Sequence, residues 1–448
     1  ADAAFQDIWP FVGHPDPALR RSAIFSMALL ESDRAAPVLL SLLNNTSKAD
    51  NVSCAMAAIS LGYLSAPQAV TRLMQIAAGE ADLELRRAAV VALGLFSSSQ
   101  REIVVFLLEQ LDRRSVPEEV RTAIPIALAR LGDDAAPAVP ALRKLVHGTR
   151  TREALRRSSV IALGRLAPPD DIDSMETLIR TVLADSDGVA RGLALISIGE
   201  IAARGNPSDG LSAEARERGN QLLCRVVAGE AARENRAWAC LAGARSHREG
   251  GCPPAECEAL ATDLLKIIHY SKESSLRAAA VLALGILDAQ PAADTLLSVL
   301  QDREAPLEAS FAALALGLLG DKKDLGPIRS LVSRSSDPDG RDRAVTGLAL
   351  ISREDAGDLL VRMLSQTTTT AETVWAARTL GQVGTPSSIP HLVRLAADKE
   401  SPSLSRAFAL VGLGRLLEPT RLPWNVRLAT GANYLSLGQA ETALLDIY

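Results

Sequence analysis

Aromatic residues are scarce in these 448 residues, at 3%, although 48% of the chain is hydrophobic. A core of that composition is built from Ala, Leu, Val and Ile, the residues that pack helix against helix, and strand-rich folds are hard to support. Gly and Pro, at 30 and 23 residues, are too few for a fibrous or disordered class. No run of Lys or Arg stands out, and the formal charge is −5, so neutralisation of phosphates along a nucleic acid is not expected. No apolar run reaches the roughly 18 residues of a membrane span, because Arg, Asp, Gly or Ser interrupts each one.

Signatures of chemistry are missing as well. There is no phosphate-binding glycine loop, no nucleophile elbow and no H-E-x-x-H, and the five His are scattered at 14, 147, 247, 269 and 391. An enzyme is therefore not expected, and no cofactor is implied. Cysteines number five, four of them clustered as Cys224, Cys240, Cys252 and Cys257. The string His247, Cys252, Cys257, His269 has spacings unlike those of a structural zinc knuckle. In an oxidising compartment Cys252 and Cys257 could pair as a disulfide, with free thiols as the alternative.

What the sequence does contain is repetition. LRRAAVVALGLF at 85–96 returns as LRAAAVLALGIL at 276–287. Aligning the small residue that closes each motif gives twelve copies, at Ala28, Gly62, Gly94, Ala129, Gly164, Gly199, Ala244, Gly285, Gly317, Ala349, Gly381 and Gly414. Most spacings are 32 to 35 residues; the exceptions are 45 and 41, on either side of Ala244. In each unit an apolar-periodic segment such as AADTLLSVL (292–300) precedes a polar turn and then the motif, which is the pattern of two helices per repeat.

No TPLH turn of the ankyrin kind occurs, and no recurring aromatic set of the tetratricopeptide kind. The recurring element is Arg-x-x-Ala-x-x-Ala-Leu-Gly, which resembles the HEAT-like repeat of the E-Z type, known from phycobilin-lyase-related proteins, over about residues 5–417. That resemblance implies an all-α fold: a right-handed α-α superhelix, a HEAT-like α-solenoid of about twelve helix pairs. Residues 1–417 form the solenoid, with loop insertions near 203–219 and 246–257. Residues 418–448, which abandon the repeat and contain Trp424, Tyr434 and Tyr448, are expected to cap it, as Trp9 and Pro10 are expected to do at the other end.

With the motif Arg as position 0 and about 100° per residue, positions −1, +3, +6, +7 and +10 share one arc, which neighbouring helices must cover. A small residue at +8 lets helices approach closely. Arg fills position 0 in nine units, as Arg20, Arg86, Arg121, Arg156, Arg191, Arg236, Arg277, Arg341 and Arg406. Five have an acid four residues earlier, at Asp16, Asp82, Asp187, Glu273 and Asp337, the favourable order for a helical ion pair. A structural ladder joining turn, helix and next repeat is expected from these arginines, rather than an anion site.

Position +5 lies opposite the covered arc and should be polar on an open inner face. It is apolar in ten of twelve units: Phe25, Ile59, Val91, Ile126, Ile161, Ile196, Leu241, Leu282, Leu314 and Val411. Either tight winding buries this column, or it lines an apolar groove for a partner's helix or extended segment. The function expected is a non-catalytic protein-protein interaction scaffold, a subunit of a larger bacterial assembly, binding through that face or the mid-chain insertions. A bilin lyase or isomerase subunit, implied by the resemblance, is the alternative. The start ADAAF, without Met, and the clustered cysteines tilt the expected location towards the periplasm or cell envelope over the cytoplasm.

Overall fold

The computed structural model describes residues 5–417, apart from 7, 30–33, 45–49, 80–81, 98–99, 149–150, 206–209, 251–252 and 368. The described residues form an all-α solenoid of 23 α-helices with short 3-10 turns and no strand. Odd-numbered helices carry the repeated motif. They are α1 (Pro17–Leu29), α3 (Asn51–Tyr63), α5 (Leu83–Leu93), α7 (Glu118–Arg130), α9 (Glu153–Leu166), α11 (Gly188–Arg204), α13 (Arg236–Glu249), α15 (Ser274–Ile286), α17 (Pro306–Leu319), α19 (Pro338–Ile351), α21 (Thr370–Val383) and α23 (Ser403–Leu417). Even-numbered helices are the first helices of the pairs. They are α2 (Ala35–Asn44), α4 (Val70–Ala78), α6 (Gln100–Asp112), α8 (Val139–His147), α10 (Ile172–Ala184), α12 (Gly210–Ala228), α14 (Pro254–Tyr270), α16 (Ala293–Gln301), α18 (Leu325–Arg334), α20 (Arg353–Gln366) and α22 (Ile389–Ala397).

Local chemistry starts and stops these helices. Asp50, Asp187 and Asp337 sit in extended backbone, and each carboxylate accepts a backbone N–H of the first turn, satisfying a donor the helix cannot. Four motif helices end through a left-handed residue at position +11: Ser65, Gly132, Asp288 and Gly320. Only at Gly132 and Gly320 does the sequence supply the residue that takes this conformation without a Cβ penalty.

Stacking is governed by the small residue at +8. A Cβ on Gly94 would lie 2.6 Å from Ala127 Cα, one on Gly285 2.5 Å from Ala315 Cα, and one on Gly164 2.4 Å from Ser197 Cβ. Ala127, Ala315 and Ser197 all occupy +6 of the following motif helix. At Gly94, Gly164 and Gly285 the motif helix therefore packs its +8 against the +6 of the next, small against small, and leaves no room there for one more carbon.

The chain divides into two compact units, described here separately. One comprises residues 1–138 and 353–417, and the other residues 139–352. In the second unit the motif helices stack in chain order: α9, α11, α13, α15, α17, α19. The first unit joins the two ends of the sequence. Its stack runs α21, α23, α1, α3, α5, α7, so the last repeat packs directly on the first. α1 is thus covered on both flanks by helices, and the 3-10 turn Trp9–Phe11 rests against it with Trp9 stacked on Phe5 at 6.0 Å. Residues 418–448, expected to cap the array, lie outside the described residues.

The insertions are mostly helix. Residues 210–219 open α12, which runs for 19 residues, and 254–257 open α14, which runs for 17. The segment AEARER at 213–218 is rich in strong helix formers, and these outweigh the flanking Gly and Pro that suggest a loop.

Candidate functional site: the inner face of the motif helices

On the motif helices the columns facing away from the covered arc are −2, +1, +5 and +9. At +5, Phe25, Ile196, Leu241 and Leu282 are buried. Ile59, Val91, Ile126, Ile161, Leu314 and Val411 are half-buried, as are Thr346 and Arg378. The column is therefore partly covered by neighbouring repeats and partly open. Exposed apolar residues stand beside it: Leu318 at 42% and Leu350 at 50%, both at +9 on the adjacent helices α17 and α19.

The +9 column holds a feature that spacing at +5 does not reveal. In three successive helices of the second unit, α9, α11 and α13, it reads Arg165, Glu200, Arg245. Glu200 is 7% exposed at its side chain and receives Arg165 at 3.1 Å and Arg245 at 3.0 Å, both on Oε1; Arg245 also meets Glu249 at 3.1 Å. A carboxylate shared by two guanidiniums ties three repeats together across the inner face. The same column turns apolar at Ile286, Leu318 and Leu350. The alternation Arg-Glu-Arg at one repeat position was the signal that could have found it.

The position-0 arginines face the turns. Arg86, Arg121, Arg236 and Arg406 donate from Nε to carbonyls at the end of the preceding helix, those of Ala77, Leu111, Val227 and Ala396, at 3.0–3.1 Å. Arg20, Arg191 and Arg277 donate to the carbonyl six residues back in the turn, at His14, Asp185 and Ser271. Four reach forward to an acid of the next repeat: Arg20 to Asp50 at 2.6 Å, Arg156 to Asp185 at 3.2 Å, Arg191 to Glu234 at 2.8 Å, and Arg277 to Glu308. Arg341 is half-buried.

The ion pairs that spacing favours with the acid four residues earlier are not made at Asp82, Asp187 or Glu273. Asp82 and Asp187 are N-caps, outside the helix, with their carboxylates turned onto the amides of Glu84 and Val189. Asp187 is claimed instead by Arg157 of the preceding repeat, through two bonds of 2.7 and 2.9 Å. Burial pushes the Asp187 carboxyl up, but the Arg157 bonds and the Val189 and Ala190 amides outweigh it and hold the carboxyl below its ordinary value.

Residues 8–94 and 325–411 match HEAT repeats, and residues 276–302 match the PBS lyase HEAT-like repeat. These segments are HEAT-like repeats within the all-α solenoid. No curated protein matches its sequence. Among solved structures, an engineered protein is similar at 19% identity and a TM-score of 0.32, covering 78% of this chain and 98% of that one. Human deoxyhypusine hydroxylase, solved with glycerol, is similar at 20% identity and a TM-score of 0.29, covering 66% of this chain and 99% of that one.

In this repeat protein the two insertions, distant in sequence, meet. Ser246 donates to Asn220 at 2.5 Å, and Arg216 lies against both Gly205 and Gly250. His247 is buried there with Nδ1 2.8 Å from the Gly243 carbonyl, and burial pulls its pKa down. Cys240, enclosed in α13, has its thiol pushed up to about 12 by burial, while Cys224 is exposed on α12. The Cys252–Cys257 pairing involves Cys252, which lies outside the described residues. Among the described residues no group of three or more His, Cys, Asp or Glu could hold a metal, and no helix is long and apolar enough to cross a membrane.

Proposed function

We propose that this chain is a non-catalytic interaction scaffold, with repeats of the E-Z type, that binds a protein partner along the inner face of its second unit. The observation that carries this reading is the pair Leu318 and Leu350. Two large aliphatic side chains stand exposed on adjacent helices, continuous with half-buried Leu314 and Ile286 and bordered by the Arg165–Glu200–Arg245 ladder. A rigid apolar strip with a charged end fits a helix or extended segment carrying two or three large apolar side chains. The chain acts in this view as a subunit of a larger bacterial assembly, on the envelope side.

Leu318→Glu combined with Leu350→Glu tests it. Both positions are exposed, so the variant folds with an unchanged melting curve. A partner captured by the wild-type protein, identified by mass spectrometry and titrated by calorimetry, loses at least tenfold in affinity for the variant. Equal affinity would remove the inner face of the second unit from the reading. The match of residues 276–302 to the PBS lyase HEAT-like repeat supports a second reading, a bilin lyase or isomerase subunit. Co-expression with a bilin separates the two, since a scaffold stays colourless and a lyase subunit takes up visible absorbance.

A further inference from the structure

Where the two insertions meet, one buried charge stands alone. Arg216 of α12 is 7% exposed, its Nε has no hydrogen-bond partner, and among the described residues none pairs with its guanidinium. A guanidinium withdrawn from water and left unpaired is destabilising, so a partner is missing from the fold. Burial lowers the pKa of His247, and the Arg216 charge lowers it further, against the Gly243 carbonyl and Glu256; the cation therefore stands close to that ring.

The acceptors in its surroundings are engaged elsewhere. Ala202 and Ser246, in the last turns of α11 and α13, accept the amides of Gly205 at 3.2 Å and Gly250 at 3.0 Å. On α12, Glu214 meets Arg218 at 2.6 Å and Glu217 receives Gln221 at 3.0 Å. On α13, Glu249 meets Arg245 at 3.1 Å. Two glycines close the backbone over the arginine. A Cβ on Gly250 would lie 3.0 Å from Arg216 Nε, and one on Gly205 3.4 Å from Arg216 Cβ. Nε is the nitrogen sealed from solvent, which leaves the Nη pair as the open edge of the fork.

We propose that Arg216 anchors a binding site for a single carboxylate group, supplied from outside the fold, at the junction of the two insertions. The two oxygens of a carboxylate match the planar guanidinium fork. One cation beside the carbonyl ends of α11 and α13, with Glu256 near His247, suits one negative charge and disfavours the second charge of a phosphate. The site lies apart from Leu318 and Leu350 and does not rest on the inner face as a docking surface.

Hydrogen exchange of the full chain at pH 7.5, with sodium formate replacing sodium chloride at equal ionic strength, tests the assignment. A ligand held by the native state slows exchange where it binds. Formate is expected to slow exchange at least threefold in peptides from 210–219 and 243–250, and to leave α17 and α19 unchanged. Arg216→Gln is expected to abolish the effect, and Arg216→Lys, which keeps the charge without the fork, to retain less than half of it. N-acetylaspartate amide, used in place of formate, distinguishes the sources: protection by both supports a carboxylate borne on a polypeptide, and protection by formate alone supports a free small acid. No protection in the wild-type chain, equal protection of every helix, or protection undiminished in Arg216→Lys would overturn the site, and the wild-type and Lys arms decide even if Arg216→Gln does not fold. Phosphate protecting as well as formate would overturn the assignment to a singly charged group.

Discussion

Asp324 is 1% exposed, stands where it could cap α18, and has no hydrogen-bond partner on either carboxylate oxygen. Burial raises its pKa above the ordinary value, and the nearby Asp321 adds to the rise. The folded chain therefore holds this proton more tightly than the unfolded chain does. Below the ordinary carboxylate pKa of about 3.9 both states are protonated and nothing is lost. As pH rises through the folded value, stability falls. Asp324→Asn removes the charge, so at pH 7 the variant should be more stable by roughly 1 kcal/mol in urea unfolding. That gain should shrink as pH approaches 4; a gain independent of pH would exclude the buried charge as its origin. Asp187 carries the opposite sign: its lowered pKa contributes stability above the ordinary carboxylate range that is lost as acid protonates it.

At the scale of the helix the repeat register decides which substitutions are tolerated. Gly285 and Gly326 are both helical, yet a Cβ meets Ala315 Cα at 2.5 Å in the first case and nothing within 4 Å in the second. Gly285→Ala should cost about 1–3 kcal/mol by forcing α15 from α17, whereas Gly326→Ala should gain up to ~1 kcal/mol through helix propensity alone. Denaturant midpoints of the two variants should therefore move in opposite directions. The close-packing role of +8 was legible in the sequence, because a small residue recurs there at a fixed offset from the motif Arg. The partners of the arginines were less so. The i, i+4 rule holds for two residues inside a helix, but Asp82 and Asp187 sit one step before it in non-helical backbone, where their carboxylates point at amides. Nor did a single inner column suffice: Glu200 is on the inner face, but at +9, and it is its neighbours in the adjacent repeats, not in its own helix, that reveal it.

At the scale of the molecule, a period near 33 residues gives the number of units but not which unit meets which. That depends on small rotations accumulated from repeat to repeat, and no column of residues records them. Hence the contact between α23 and α1 could not be read from the sequence, where a linear array places those helices at opposite ends. It has a measurable consequence, because stability in a repeat array passes between stacked neighbours. Leu410→Ala in α23 opens a cavity worth about 2–4 kcal/mol at a buried site. Hydrogen exchange should then quicken in α21 and, 381 residues or more away in sequence, throughout α1 (Pro17–Leu29), while α13 and α15 of the other unit keep their wild-type protection. Unchanged exchange in α1 with faster exchange in α21 would show that the first and last repeats are not energetic neighbours. Faster exchange in both would make α23 the link through which the two ends of the chain share one cooperative unit.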